Sequence, residues 1–361
     1  MSGSQRLPID LLTVLEDQER RMRRRVLAVL APVVVCAGGG RGCRGYGCER
    51  SQLMHDYSIK ELFQLPVNEQ LTVPGRLPTN NPHIPALDQQ YRFRRDLLSD
   101  LLCWHKTAVG EGLFLTGPTG SGKSSVVLQT AARLQIPVMS ITGHSRLESP
   151  ELVGQYVLKD GQMSYVYGPL AQAMLHGYWF LFDEIDLVDP GTAAGLNSVL
   201  EGRPLVIPEC GGELIPPHPD FRFIATANTT GGGDRTGLYQ GALRMNGAFV
   251  DRFWMVEVGY PEAVHEQELL AAAVPRLPQG VIERMLEFAT LVRGRFHEGT
   301  LDVTFSTRTL LRWGRMMDLF RSASTEGKNP ILHALDRALA LRAEPDSRIA
   351  LHELAQRVFG F

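Results

Sequence analysis

The run Gly117-Pro118-Thr119-Gly120-Ser121-Gly122-Lys123-Ser124-Ser125 constrains this chain more than any other stretch. It satisfies the spacing G-x-x-x-x-G-K-[ST], follows an apolar strand candidate at 112–116, and opens a helical pattern from Lys123 to Leu134. Strand, glycine-rich loop and helix in that order are the context in which the pattern has physical meaning. The glycines let successive backbone N–H groups curl around a phosphate, and the helix N-terminus adds partial positive charge. Lys123 is placed to reach β- and γ-phosphates, and the Ser124 hydroxyl to hold Mg²⁺.

Two further strand ends supply groups suited to the same chemistry. The run Tyr178 to Phe182 is apolar throughout, as a central parallel strand should be, and leads directly into Asp183 and Glu184. In an open parallel sheet both carboxylates point at the carboxyl edge, where the glycine loop also lies. Asp183 is then placed beside Mg²⁺, and Glu184 to orient and polarise an attacking water. A surface acidic cluster capping the next helix is the plainer alternative. Asp186 reads as such a cap or a solvated group. A third strand candidate, Phe221 to Ala227, ends in Asn228. Its amide can hydrogen-bond a γ-phosphate or the attacking water, or it can be an ordinary turn asparagine.

Charge and composition narrow the class. The chain has 361 residues, 44% hydrophobic and 21% charged, with a net charge of −2. Residues 1–53 hold nine Lys/Arg against five Asp/Glu, so the remainder carries −6. A mildly acidic body argues against electrostatic gripping of nucleic acid. The first 53 residues join a basic run, the apolar run VLAVLAPVVVC and a Gly/Arg/Cys stretch. Acidic residues in the long charged region do not suit a signal peptide, and the apolar run is too short to span a bilayer. The expectation is a disordered leader or a gene-call extension, with Met54 as the start of the folded chain. Cys36, Cys43 and Cys48 lie in this stretch and fit no metal-site spacing; Cys103 and Cys210 stand alone, as in a reducing cytoplasm.

A short helix candidate from Met54 and a Pro/Asn-rich connector at 74–85 make residues 54–88 a helix with an extended linker. Residues 89–260 alternate strand and helix signals, which predicts a three-layer α/β core on a parallel sheet. From Pro261 to the end, five helical patterns (262–274, 280–296, 307–324, 328–342, 347–358) predict a small all-α domain. Two hairpin insertions interrupt the core. One runs from Tyr156 to Tyr167 around Asp160-Gly161, the other from Leu205 to Ile215 around Gly211-Gly212. Such hairpins either brace a neighbouring subunit or touch a substrate.

Taken in order, Lys123, the Asp183-Glu184 pair, Asn228, two hairpins and a helical tail resemble the MoxR-like branch of the AAA+ ATPases. Within that branch the chain looks most like the CobS group, the AAA+ subunits of aerobic cobaltochelatases. The likeness runs from residue 57 to the C-terminus and includes VPGRLPTNNPHIPALDQQYRF, ELVGQYVLKDG, PHPDFRFIATANTTGGGDRTGLYQGA and STRTLLRW. The resemblance implies ATP with Mg²⁺ and a C-terminal helical lid. It assigns Arg252 as an arginine finger reaching a neighbouring subunit's ATP, where a local salt bridge is the alternative. It assigns Arg308 as a sensor of the γ-phosphate, where a solvated helix-start arginine is the alternative. A finger acting in trans implies a homo-oligomeric ring, a hexamer in this family. The implied partners are a von Willebrand A domain (CobT-like) protein and a large chelatase subunit inserting Co²⁺ into a cobalamin precursor. A MoxR/CbbQ/NorQ-type activator of a different metalloenzyme stays open as the runner-up. The acidic body counts against a nucleic-acid-directed McrB-like motor, and the presence of Lys123, Asp183, Glu184, Asn228 and Arg252 disfavours a nucleotide-binding scaffold without turnover.

Overall fold

The computed structural model describes residues 54–361 except 108–109, 160, 235–236, 238, 240, 322–326 and 328. The expected leader, Asp160 of the first hairpin turn and part of the run 233–241 lie outside the described residues. The chain opens with strand β1 (Met54–Ser58), a short helix Ile59–Phe63 and strand β2 (Thr72–Arg76). β1 and β2 pair antiparallel, with Met54 opposite Arg76. The expected short helix is present at Ile59–Phe63, but the structure flanks it with two strands. Met54–Ser58 is a strand, and the connector begins as its partner. The reason is burial: Ile59, Phe63, Leu71 and Val73 all enter the core of the α/β unit, which fixes the segment against the sheet.

That core is built on β3 (Gly112–Thr116), β4 (Val138–Thr142), β7 (Trp179–Asp183), β10 (Arg222–Ala227) and β11 (Phe253–Glu257); β5 (Gly154–Lys159) with β6 (Gln162–Tyr167), and β8 (Leu205–Ile207) with β9 (Glu213–Ile215), form separate hairpins. The five-stranded sheet is parallel, in the order β11-β3-β10-β7-β4. Side chains alternate between two cores, as the two-residue period of a strand requires. Leu113, Leu115, Trp179, Leu181 and Ile224 face the helices Arg95–Thr107 and Lys123–Arg133. Phe114, Phe180, Phe182, Phe223 and Ala225 face the other side, with the helix Pro169–His176. Both faces are covered, so the three-layer α/β expectation holds.

The two hairpins are bonded to each other. The Tyr156 hydroxyl donates to the Glu209 carbonyl at 2.9 Å, and the Tyr167 hydroxyl to the Glu213 carboxylate at 2.8 Å. Beyond β11 every described element is helical: Ala263–Ala273, Gln279–His297, Thr307–Leu319, Pro330–Ala338 and Pro345–Phe359. They enclose a third core around Trp313, whose ring meets Phe288, Phe305 and Phe359. No helix among the described residues is long and apolar enough to cross a membrane.

Candidate nucleotide site

The strand order brings the three sequence motifs to one edge. β3, β10 and β7 are adjacent, with Ala227 opposite Thr116 and Phe182 opposite Ala225. The loop after β3, Asn228 after β10 and the acids closing β7 therefore share the carboxyl edge. Gly117 has φ +148, and a Cβ there would lie 2.2 Å from the Val258 carbonyl oxygen; Gly120, at φ +73, would meet Ser306 Cβ at 2.6 Å. Only glycine lets this loop lie so close to β11 and the helical unit. Gly122, in the left-handed region, caps the helix Lys123–Arg133 without a side-chain bond, leaving its first N–H groups directed at the loop's concavity.

Lys123 is buried, and its Nζ donates to Gly117 O at 2.7 Å, Pro118 O at 3.1 Å and Asn228 Oδ1 at 3.0 Å. Thr119 Oγ1 donates to the same amide oxygen at 3.4 Å. Burial pushes the ammonium down to about 8, an effect opposed by the carboxylates of Asp186, Asp183 and Glu184 and reinforced by Arg308. Ser124 Oγ donates to both Asp183 oxygens, at 2.7 and 2.9 Å. A hydroxyl against a carboxylate at the end of a phosphate loop is a donor set that suits Mg²⁺.

Glu184 is exposed at this edge, with φ +55. A left-handed glutamate is strained by roughly 1–2 kcal/mol. Its neighbours impose the turn. The Glu184 N–H donates to Thr226 Oγ1 at 3.2 Å, and the Thr226 hydroxyl donates in turn to Asp183 Oδ1. Gly143 backs the turn closely enough that a Cβ would lie 2.4 Å from Glu184 O.

A cavity of about 300 Å³ adjoins the loop, lined by Tyr91, Gly120, Gly122, Ser125, Arg308 and Arg315 among others. It lies between the sheet unit and the helical unit, which touch across the loop. The Tyr260 hydroxyl donates to Thr119 O at 3.1 Å and stands 3.3 Å from Thr304 Oγ1. Arg293 stacks over Tyr260 at 4.2 Å and holds the buried Glu266 with two bonds, at 2.8 and 2.7 Å. Glu266 Oε1 also accepts from Thr307 Oγ1, beside Arg308. Arg308 itself is the second residue of the helix Thr307–Leu319 and lines the cavity.

Arg252 is the one candidate lying elsewhere. It directly precedes β11, whose first residue pairs with Gly112, and its carbonyl accepts from Gly112 N at 3.1 Å. That is the amino edge of the sheet, one strand length from the phosphate loop. Its guanidinium bonds Glu201, with Nε at 3.0 Å from Oε1, and also the Ala248 carbonyl.

Asp186 differs from the expectation of a cap or solvated group. It is fully buried, and its Oδ2 accepts from Asn228 N and Thr229 N, both at 3.0 Å, and from Thr229 Oγ1 at 3.1 Å. The reason is the strand order: β10 lies beside β7, so a carboxylate three residues past Asp183 meets the end of β10. Thr226, Gly143, Glu201 and Tyr260 also went unread in the sequence. Only Thr226 left a signal, a hydroxyl inside the otherwise apolar run FIATA.

The glycine loop, the buried Lys123, the Ser124–Asp183 pair and the left-handed Glu184 meet at one sheet edge under a helical cover, an arrangement suited to the phosphates of a nucleotide. The family described as AAA domain (dynein-related subfamily) matches residues 112–253, and CbbQ/NirQ/NorQ C-terminal matches residues 266–358. "Aerobic cobaltochelatase subunit CobS" from Sinorhizobium sp is 31% identical over 314 residues, covering 84% of this chain and 90% of that protein. "Protein CbbQ" from Hydrogenophilus thermoluteolus is 27% identical over 251 residues, covering 68% and 87%. Among solved structures, a mutant of the Thermotoga maritima protein RuvB overlaps loosely, with a TM-score of 0.41 and 17% identity over 66% of this chain and 64% of that one. The chain belongs to the MoxR-like AAA+ family that includes CobS, CbbQ and NorQ.

Proposed function

We propose that this protein hydrolyses ATP as a ring-forming AAA+ motor of the CobS kind and passes the energy to a partner protein. The observation that carries the reading is the convergence of Lys123, Asn228, Ser124, Asp183 and Glu184 at one sheet edge, beside a cavity of about 300 Å³ able to take a base and ribose. The phosphates of ATP lie against the N–H groups of 117–125, with Lys123 on the β- and γ-oxygens. Ser124 and Asp183 would hold Mg²⁺, whose charge would neutralise the phosphates when bound. Glu184 accepts a proton from the attacking water as its oxygen bonds to the γ-phosphorus and the bond to the β–γ bridging oxygen breaks, giving ADP and phosphate. Asn228 orients the water or the γ-phosphate, Arg308 reads the γ-phosphate from the lid, and Arg252 serves the site of a neighbouring copy, in a hexamer by analogy with the family.

Likeness to CobS over 84% of the chain favours a von Willebrand A protein and a large chelatase subunit as partners, and Co²⁺ insertion into a corrin precursor as the work done. The match of residues 266–358 to a CbbQ/NirQ/NorQ segment favours a second reading, activation of a different metalloenzyme by the same engine. Glu184→Gln should lower phosphate release by roughly 10²–10⁴ while leaving ATP bound. Affinity capture with this variant and ATP then separates the readings. A chelatase subunit in the captured complex supports the first and a different metalloenzyme the second. Full turnover by Glu184→Gln would remove the assigned base.

A further inference from the structure

Asp186 carries chemistry that the mechanism above leaves unused. It has no solvent exposure, and its Oδ1 has no hydrogen-bond partner among the described residues. A buried carboxylate with one oxygen unsatisfied is costly, and a neutral side chain would cap a strand end more cheaply. Its side-chain bonds converge instead on one turn. Oδ2 alone takes Asn228 N, Thr229 N and Thr229 Oγ1, at 3.0, 3.0 and 3.1 Å. Its main-chain carbonyl accepts from Leu243 N at 2.7 Å, and Met245 N returns to Gly231 O at 2.9 Å. The loop following Asn228 is thereby tied back to the end of β7.

Two backbone N–H groups clamped at the end of a central strand leave the preceding side chain little freedom. The Asn228 amide oxygen stands 3.0 Å from Lys123 Nζ and 3.4 Å from Thr119 Oγ1. Withdrawn by an ångström along the Lys123 contact, the oxygen would stand about 4.0 Å from Nζ, beyond hydrogen-bond reach.

We infer that Asp186 is a positioning residue for hydrolysis: it holds the Asn228–Thr229 turn so that the Asn228 amide is aligned with Lys123 at the γ-phosphate position. The inference rests on the ATPase reading and extends it: by contact Asp186 reaches the site only through the Asn228–Thr229 turn, and its charge on Lys123 is separated by the asparagine variant, which keeps the contacts and removes the charge. Misplacement of about 1 Å at a reacting centre costs up to roughly 10²-fold in rate. Asp186→Ala should therefore lower kcat by about 10- to 100-fold, with KM and the Kd for a fluorescent N-methylanthraniloyl ATP within about threefold of the parent. In Asp186→Asn the amide oxygen can take the place of Oδ2 and accept the same three donors, so at least half of kcat should return.

The decisive comparison uses Asn228→Ala. If Asp186 works through that amide, Asp186→Ala added to Asn228→Ala causes no further loss, whereas independent roles multiply. Thermal melts check that each variant is folded. If Asp186→Ala is not, Thr229→Val removes one of the three donors and should lower kcat a few-fold at unchanged KM. Unchanged kcat in Asp186→Ala or in Thr229→Val, an asparagine variant as poor as the alanine one, or multiplying losses in the double variant would each overturn the inference while leaving the ATPase reading intact. An assembled parent protein that releases no phosphate would instead remove that reading, and this assignment with it.

Discussion

His105 allows a quantitative prediction about the fold. It lies on the helix Arg95–Thr107, is 5% exposed, and its ring meets Trp179 edge-on at 5.2 Å. Nε2 sits 2.9 Å from the Pro74 carbonyl and so carries the proton; Nδ1 is buried with no hydrogen-bond partner among the described residues. A second proton would have to sit on Nδ1 as a buried cation. Arg76, Lys106, Arg222 and Asp220 line the adjoining cavity of about 560 Å³, so the charge facing the ring is mostly positive. Burial accordingly pushes His105 down to about 4; Arg222 adds to the effect, and the bond to Pro74 and the Asp220 charge oppose it. Between an unfolded value of 6.5 and this folded value, the unfolded chain binds more protons, so stability falls as pH drops through that window. Linkage puts the loss at about 2 kcal/mol by pH 5 and about 3 kcal/mol below pH 4. In His105→Gln the amide can still donate to Pro74 O without titrating. Urea unfolding followed by the intrinsic fluorescence of the chain's four tryptophans, at pH 8 and pH 5, should show the stability advantage of histidine over glutamine shrinking by about 2 kcal/mol. An advantage that stays constant within about 0.5 kcal/mol would refute the reasoning.

The turn at Glu184 makes a second prediction. Gly143→Ala drives a Cβ to 2.4 Å from Glu184 O and 2.8 Å from Val188 Cγ2, so kcat should fall at least about tenfold while overpacking costs about 1–3 kcal/mol. Steady-state kinetics beside a thermal melt checks both. In the lid, Glu266→Ala strands Arg293, whose side chain is 12% exposed, and should cost about 3–5 kcal/mol in thermal unfolding.

What could be read from the sequence followed from local pattern. The phosphate loop needs only glycines and a following helix, and the apolar runs before Asp183 and Asn228 mark central strands. The five helical patterns after Pro261 are periodic enough to read in the same way. What escaped depends on contacts across elements. Met54–Ser58 is a strand because Thr72–Arg76 pairs with it, and nothing in MHDYS requires that partner. Asp186 is a buried clamp because β10 lies next to β7, a neighbourhood that the chain order does not state. Exposed-looking polar residues such as Glu201 and Tyr260 acquire roles only from what the fold brings beside them.

Arg252 shows how the strand order constrains function. The parallel pairing sets Phe253 opposite Gly112 and Glu257 opposite Thr116, so Arg252 precedes the strand at one edge while the phosphate loop leaves from the other. Five residues at about 3.3 Å each put roughly 15 Å of β3 between them. An arginine held there by Glu201 and Ala248 has no route to the γ-phosphate of its own chain. If it serves hydrolysis, it serves a neighbour's. Complementation tests this directly. Lys123→Ala should abolish ATP binding but keep a working finger, and Arg252→Ala should bind ATP but offer none. Each alone should be nearly inactive, because removal of a finger costs about 10³–10⁵ in rate. Randomly mixed in equal amounts, a site is complete only when an Arg252→Ala subunit has a Lys123→Ala neighbour on its finger side. About a quarter of the parental phosphate release should then return. A mixture as inactive as its parts would mean that the finger does not act between subunits, and the Arg252–Glu201 pair would then be a structural salt bridge.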